Sequence, residues 1–290
     1  KNKEKNRHST GDVVMRNYRQ AILALVVIAA PISGVWADTS LSLTGSFEPG
    51  ALIIGTTAAG NTVTHDGLPV RVSDTGDLLL GLGRDATGKT TVIITSPDGE
   101  STTYNYAIES REYDIQHIDG LPPKQVTPDP DTQERIAAES TLIKAARKND
   151  LRETLFLSGF SWPVTGRISG VFGSQRVLNG NPRSPHNGVD IAAPVGTPIY
   201  AMGDGRVVLV HEDMFYTGKS VIVDHGHGLT SVYVHMSEIL VAEGTEVRKG
   251  DAIGKVGQTG RATGPHLHWG VTLFSTHLDP ALVVGPMPEG

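Results

Sequence analysis

The sequence predicts a mainly β protein in which two β-rich domains are joined by one helix. Short runs rich in Val, Ile, Leu and Thr recur along most of the chain, and Gly-containing turn signals separate them. Glycine supplies 34 of the 290 residues, which fits a chain with many tight turns. Short strands between regular turn signals are typical of antiparallel sheets. We divide the chain into residues 1–37, 38–120, 121–157 and 158–290.

Residues 1–37 are interpreted as upstream residues followed by a signal peptide. Arg16 and Arg19 precede an apolar run of 15 residues from Ala21 to Val35, which is short for a membrane span. Small residues at Val35 and Ala37 predict cleavage before Asp38 and export to the periplasm. The alternative is an uncleaved anchor in the inner membrane.

Residues 38–120 are expected to form a small β-sandwich without catalytic residues. Strand-like runs alternate with turns such as Pro49-Gly50, Asp66-Gly67 and Pro97-Asp98-Gly99. Two roles are open for this domain: a cover that restrains the C-terminal domain, or a docking module.

Residues 121–157 predict a proline-rich linker and then a helix over roughly 132–156. Asp131 with Glu134 three residues later is a capping-box pattern. Ile136, Ile143 and Ala146 mark a thin apolar stripe, so we expect the helix to pack on one of the domains.

The chemistry is concentrated in residues 158–290, where three short segments carry His186 and Asp190, His235, and His266 and His268. Side chains alternate between the faces of an extended chain, so residues two or four apart share a face. His266 and His268 can therefore point at one centre, and so can His186 and Asp190. A helical pair is disfavoured for the latter because Gly188 lies between them.

These residues predict a catalytic zinc site. The chain has no cysteine, so a metal must be held by histidine and carboxylate. A catalytic zinc takes three protein ligands and keeps one position open for water. Two histidines and one aspartate would fill those places, and two histidines would remain for proton transfer. A closed, structural four-ligand site is the minor alternative.

Residues 158–285 resemble the catalytic domain of the lysostaphin-like, LytM-type zinc metallopeptidases, which cut peptide bonds in bacterial peptidoglycan. The matching stretches are 169–173, 186–198, 233–235 and 259–269. The resemblance implies antiparallel sheets with a groove floored by the large sheet. It also implies Zn²⁺ bound by His186, Asp190 and His268, with His235 and His266 as the catalytic pair.

The two-domain arrangement is similar to periplasmic members from Gram-negative bacteria, which act on meso-diaminopimelate cross-links in peptidoglycan stem peptides. Some relatives place a tyrosine a few residues before the first ligand histidine, but residues 178–185 contain none. Asn179, Arg183 and His235 are therefore the candidates for stabilising the oxyanion.

The remaining histidines and Trp269 have structural explanations. A second H-x-H at His225 and His227 is interpreted as a hairpin turn rather than a rival metal site, because Gly226 and Gly228 alternate with the histidines. His211 and His277 are expected at the surface, and Trp269 in the core. The alternative function is a non-catalytic protein that binds peptidoglycan or activates an amidase.

Charge excludes some partners. Residues 1–37 hold six of the 25 basic and two of the 31 acidic residues, so the remainder has a formal net charge of −10. Such a chain is poorly suited to nucleic acid or anionic membranes. The sequence leaves the oligomeric state and any periplasmic or outer-membrane regulator undetermined.

Overall fold

The computed structural model describes residues 38–118, 130–178 and 180–288, and over these residues the protein is mainly β, as predicted. The expected signal segment, the proline-rich linker and Asn179 lie outside the described residues. Among the described helices, none is long and apolar enough to cross a membrane.

The N-terminal domain contains seven strands in two antiparallel sheets. The strands are β1 (Leu41–Thr44), β2 (Leu52–Thr57), β3 (Thr62–His65), β4 (Leu68–Val70), β5 (Asp77–Gly81), β6 (Lys89–Thr95) and β7 (Ser101–Ala107). One sheet has the order β1-β2-β5 and the other β4-β3-β6-β7. Ile53 and Leu78 from the first sheet share an apolar core with Val92 and Ile94 from the second, and all four are 0% exposed. This arrangement is the small sandwich predicted from the alternating runs.

The chain then leaves the sandwich as a short strap, residues 108–118, which ends in β8 (Ile115–Ile118). Although β8 falls within the predicted N-terminal domain, it pairs in parallel with β10 of the C-terminal domain. The strap therefore ties the sandwich to the peptidase domain by backbone hydrogen bonds.

Helix α1 spans Pro130–Arg147 and ends about nine residues before the predicted boundary. Beyond it, the Asn149 side chain donates to Asp224 and Asp150 pairs with Arg71 of the sandwich. Because these tertiary contacts hold the residues after the helix, the chain cannot continue its helical path. A single 3-10 turn, Leu155–Ser158, follows.

The C-terminal domain is built on a large antiparallel sheet. Its strands and closing helix are β9 (Arg167–Gly170), β10 (Gln175–Leu178), β11 (Asn181–Pro182), β12 (Val189–Ala192), β13 (Pro198–Tyr200), β14 (Gly205–Met214), β15 (Gly218–Asp224), β16 (Leu229–Ile239), β17 (Glu246–Val247), β18 (Ala252–Val256), β19 (His266–Leu273), β20 (Thr276–Leu278) and α2 (Pro280–Val284). The main path runs β17-β14-β15-β16-β19-β12-β9, with β13, β18 and β20 attached to it.

The sandwich and the large sheet share part of one core. Leu52 and Leu79 of the sandwich belong to the same apolar cluster as Trp269 and Leu278 of the peptidase domain. Arg111 of the strap pairs with Asp279, whose side chain is 4% exposed. The contact between the two domains is therefore apolar in its interior, and an ion pair reinforces it.

Candidate metal centre and active site

Strand register places two of the predicted ligands side by side. Asp190 on β12 is the cross-strand partner of His268 on β19, and Ala192 is the partner of His266. The residues that alternate with these histidines on β19, Leu267 and Trp269, point to the core and are 0% exposed. The H-x-H pattern is therefore what a strand with one buried apolar face and one functional face requires.

His186 precedes β12 and is held by the β9–β10 turn, residues 171–174. Gly173 N donates to His186 O over 2.8 Å, and His186 N donates to Ser174 O over 2.8 Å. The ring is fixed as well, because His186 Nδ1 lies 2.9 Å from the carbonyl oxygen of Val171. A carbonyl only accepts, so Nδ1 carries the hydrogen and Nε2 presents a lone pair.

That lone pair points into a cluster of ligand atoms. His186 Nε2 lies 3.1 Å from Asp190 Oδ1 and 2.9 Å from His268 Nδ1, and Asp190 Oδ1 lies 2.8 Å from the same nitrogen. Among the described residues this is the group of three side chains able to hold a metal ion, with ligand atoms within 4.8 Å of one another. A lone pair and a carboxylate oxygen at such distances repel each other unless a proton or a metal ion lies between them.

The charge state of Asp190 suits metal binding. Burial opposes its ionisation, but hydrogen bonds and positive charge from His186 and His268, when these rings are protonated, hold the pKa of Asp190 well below its usual range. Two imidazole nitrogens and one carboxylate oxygen form the donor set of many catalytic zinc sites. The residues present therefore fit a zinc ion.

His235 reaches the same face through an unusual backbone conformation. Its φ is +63°, in the left-handed region that residues other than glycine rarely adopt. The preceding residue, Val234, is the cross-strand partner of His268, so regular alternation would send His235 to the opposite face. Instead its ring centroid lies 6.4 Å from that of His268 and 4.7 Å from that of His266.

Both remaining histidines are arranged to accept a proton at Nε2. His235 Nδ1 lies 2.8 Å from Thr259 O, and His266 Nδ1 lies 2.8 Å from Gly264 O. Each Nδ1 therefore carries a hydrogen, and each Nε2 bears a lone pair. Burial lowers the pKa of His235 to about 4, so that this ring is neutral near pH 7. His266 Nε2 lies 3.8 Å from Asp190 Oδ1, which places it beside the predicted ligands.

The structure brings all five predicted site residues together and separates them from the other histidines. His225 and His227 occupy the turn after β15, as predicted, and bind Asp204 O and Arg152 O respectively. His277 corrects an expectation, since it is half-buried and burial lowers its pKa to about 4. Trp269 is a core residue, as expected, and its ring contacts Trp162 edge-on at 5.5 Å.

Of the three candidates for stabilising the oxyanion, only His235 is placed at the site among the described residues. His235 lies at the centre, whereas Asn179 lies outside the described residues. Arg183 is described, and its carbonyl accepts a hydrogen bond from Gln175.

The backbone carbonyl groups that orient the three histidine rings could not be predicted from the sequence. Val171, Thr259 and Gly264 supply them, and any residue type carries a carbonyl. A signal was nevertheless present, because all three lie in or beside segments singled out through the family resemblance. Their role depends on position rather than on side-chain chemistry.

Three potential metal ligands beside two histidines with Nε2 directed away from their carbonyl partners form the kind of site that hydrolytic metalloproteins use. Residues 184–280 match the profile of Peptidase family M23. Residues 184–280 therefore form a domain of the Peptidase family M23 type, and M23 proteins are metallopeptidases.

Two named relatives share the domain. The chain is 46% identical over 104 residues to the peptidoglycan DD-endopeptidase ShyA of Vibrio cholerae, covering 36% of this chain and 24% of that protein. It is 42% identical over 104 residues to the DD-carboxypeptidase/endopeptidase Mpg of Neisseria meningitidis, with the same two coverages. The aligned part is thus about a quarter of the length of these relatives.

A solved structure matches more of the fold. A crystal structure of a Pseudomonas aeruginosa protein assigned to peptidase M23 superposes with a TM-score of 0.62 at 28% identity. The match covers 83% of this chain and 96% of that protein. The resemblance thus extends beyond the peptidase domain into the N-terminal half of the chain.

Proposed function

We propose that this protein is a zinc-dependent endopeptidase that hydrolyses peptide cross-links of bacterial peptidoglycan. The observation that carries the proposal is the convergence of His186, Asp190 and His268 on one point, with His235 and His266 beside it. The names of the relatives, which describe peptidoglycan DD-endopeptidases, support the substrate class. Within that class we propose the D-Ala–meso-diaminopimelate bond as the bond cleaved.

The residues divide into two roles. His186, Asp190 and His268 would hold the metal ion, which when bound polarises a carbonyl and lowers the pKa of water to about 7. His235 and His266 each present Nε2 to the site, so either can take the proton of the attacking water and return it to the leaving amine. The backbone carbonyls of Thr259 and Gly264 keep both rings in the required tautomer.

The alternative, a non-catalytic protein that binds peptidoglycan or activates an amidase, predicts a different site. Such a protein has no need for two histidines locked with Nε2 towards a three-ligand cluster. Burial also keeps His235 neutral near pH 7, which is the form that can accept a proton at Nε2. These features favour the enzyme.

The test is digestion of purified sacculi by the metal-free protein, by the same protein after addition of Zn²⁺, and by His268→Ala. Mass spectrometry of the released muropeptides identifies the bond. We expect cross-linked dimers to disappear only with the zinc-loaded wild type, and His268→Ala to lose bound zinc and activity together. Intact dimers after incubation with the zinc-loaded wild type would support the non-catalytic alternative.

We further propose that the protein acts in the periplasm after cleavage before Asp38. The support is the short apolar run and the small residues at Val35 and Ala37. N-terminal sequencing of the protein recovered from the envelope fraction tests this. A chain that keeps Arg16 and sediments with membranes would instead indicate an inner-membrane anchor.

A further inference from the structure

The turn that orients His186 is held from its other side by the N-terminal half of the chain. This turn consists of residues 171–174, and three of its backbone groups bond to His186. Arg84, in the loop after β5, donates from Nε to the carbonyl oxygen of Gly173 over 2.8 Å. Gly173 thus binds His186 through its N–H and Arg84 through its carbonyl.

Tyr113 of the strap packs against the turn from the same side as Arg84. A Cβ built on Gly173 would come within 2.1 Å of the Tyr113 ring, so the ring packs directly on the backbone of the turn. Gly173 has φ +81°, a conformation that glycine adopts without strain. The guanidinium of Arg84 lies 4.4 Å above the Tyr113 ring, and the Tyr113 hydroxyl donates to Arg84 O over 3.1 Å. Arg84 and Tyr113 therefore contact each other as well as the turn.

Further contacts from the strap surround the same turn. Phe172 in the turn is 2% exposed, and Arg111 of the strap lies 5.8 Å above its ring. Gln175 N donates to Asp114 O over 2.9 Å, at the start of the pairing between β8 and β10. The turn is thus enclosed by the strap before the chain reaches β10.

We propose that Arg84 and Tyr113 are positioning residues for the metal centre, which act on His186 through the turn at residues 171–174. The proposal rests on the assignment of His186 as a metal ligand in the proposed function. Partners that orient a ligand histidine typically change metal affinity about 10- to 100-fold when removed. The N-terminal sandwich therefore supports the active site rather than only covering it or docking it to the wall.

The test measures metal affinity rather than activity. Zn²⁺ binding to the metal-free full-length protein is titrated against a chromophoric chelator, and Co²⁺ spectra report the coordination geometry. Arg84→Met keeps the aliphatic length over Tyr113 but removes the donor to Gly173. We expect its affinity to fall about 10-fold or more, with a changed Co²⁺ spectrum.

Arg71→Met is the matched control, because Arg71 also joins the sandwich to a distant segment, through Asp150, yet does not touch the turn. It should bind zinc within about twofold of the wild type. Tyr113→Phe, which keeps the ring, should bind like the wild type, and Tyr113→Ala should not. Unfolding midpoints of the metal-free variants are recorded alongside.

Wild-type affinity in Arg84→Met would overturn the proposal. Equal losses in Arg84→Met and Arg71→Met, in step with lowered unfolding midpoints, would also overturn it, because they would reflect general stability. A wild type that binds zinc but leaves sacculi uncut would refute the proposed function while leaving the affinity comparison intact.

Discussion

At the scale of single residues, the site depends on which nitrogen of each histidine carries the hydrogen. His186, His235 and His266 each place Nδ1 within 2.9 Å of a backbone carbonyl oxygen. In all three rings Nε2 therefore carries no hydrogen, and its lone pair can bind a metal or accept a proton. The same local device thus serves a predicted ligand and two predicted bases.

The division between ligands and bases leads to the first prediction. His235→Ala and His266→Ala should retain stoichiometric zinc, because neither belongs to the three-ligand cluster. Both should lose about 10²- to 10⁴-fold in the rate of sacculus hydrolysis, the usual contribution of general acid–base catalysis. Zinc content and initial rates on the same preparations check this.

His211→Ala is the matched control, since His211 lies on β14 and its Nδ1 accepts from Asp213 N. It should keep both zinc and activity. A His235 or His266 variant that runs within a few-fold of the wild type would show that the residue is not a base.

At the scale of elements, the short helix α2 links the strap to the large sheet. Asp279 caps α2 by accepting from Ala281 N over 2.9 Å, and its other oxygen accepts from Arg111 of the strap. One carboxylate therefore closes a helix end and joins two parts of the chain far apart in sequence. Its side chain is only 4% exposed, so water screens the pair weakly.

This double role gives the second prediction. Asp279→Ala should lower the free energy of unfolding by on the order of 3 kcal/mol, since it removes a helix cap and leaves Arg111 without its partner. Asp279→Asn should lose less, because asparagine still caps the helix. Urea denaturation of the metal-free proteins provides the measurement. Equal stability of the alanine and asparagine variants would show that the helix cap contributes nothing, and wild-type stability in Asp279→Asn would show that the ion pair contributes nothing.

At the scale of the whole molecule, burial sets how stability responds to acid. His225 is 0% exposed, and burial lowers its pKa from 6.5 to about 4. Between pH 6.5 and pH 4, His225 is protonated in the unfolded chain but remains neutral in the folded protein. The free energy of unfolding therefore falls as the pH drops towards 4. Asp224 acts in the opposite direction over the same range, because burial raises its pKa to about 6.

The third prediction isolates the contribution of His225. His225→Asn keeps a donor near the position of Nδ1 and should be less stable than the wild type at pH 7. Because the variant lacks the titrating ring, the difference should shrink by on the order of 3 kcal/mol between pH 7 and pH 4. Urea unfolding with the metal removed at both pH values measures the difference. A gap that stays constant with pH would contradict the prediction.

The contact between the domains also bears on regulation. A cover that swings away from the groove would have to expose Leu52 and Leu79, which now lie in the core shared with Trp269 and Leu278. It would also have to break the pairing of β8 with β10 and the bond from Arg84 to Gly173. These contacts favour a sandwich that stays fixed against the peptidase domain.

The fold class, and the five residues that the structure brings together, were predictable from the sequence. Glycine turns and alternating apolar runs specify strands through local chemistry, and the period of two places His266 and His268 on one face. The predicted end of α1 was wrong, because the tertiary contacts of Asn149 and Asp150 end the helix earlier. The expected surface position of His277 was also wrong, because its burial comes from its surroundings in the fold.

The way in which the five residues meet depends on long-range contacts that the sequence does not reveal. The left-handed backbone at His235 reverses the face that alternation predicts. The carbonyls of Val171, Thr259 and Gly264 select the tautomers, and Arg84 and Tyr113 hold the turn at His186 from the other domain. None of these features follows from residue type or spacing, because each depends on backbone groups brought together from distant parts of the chain.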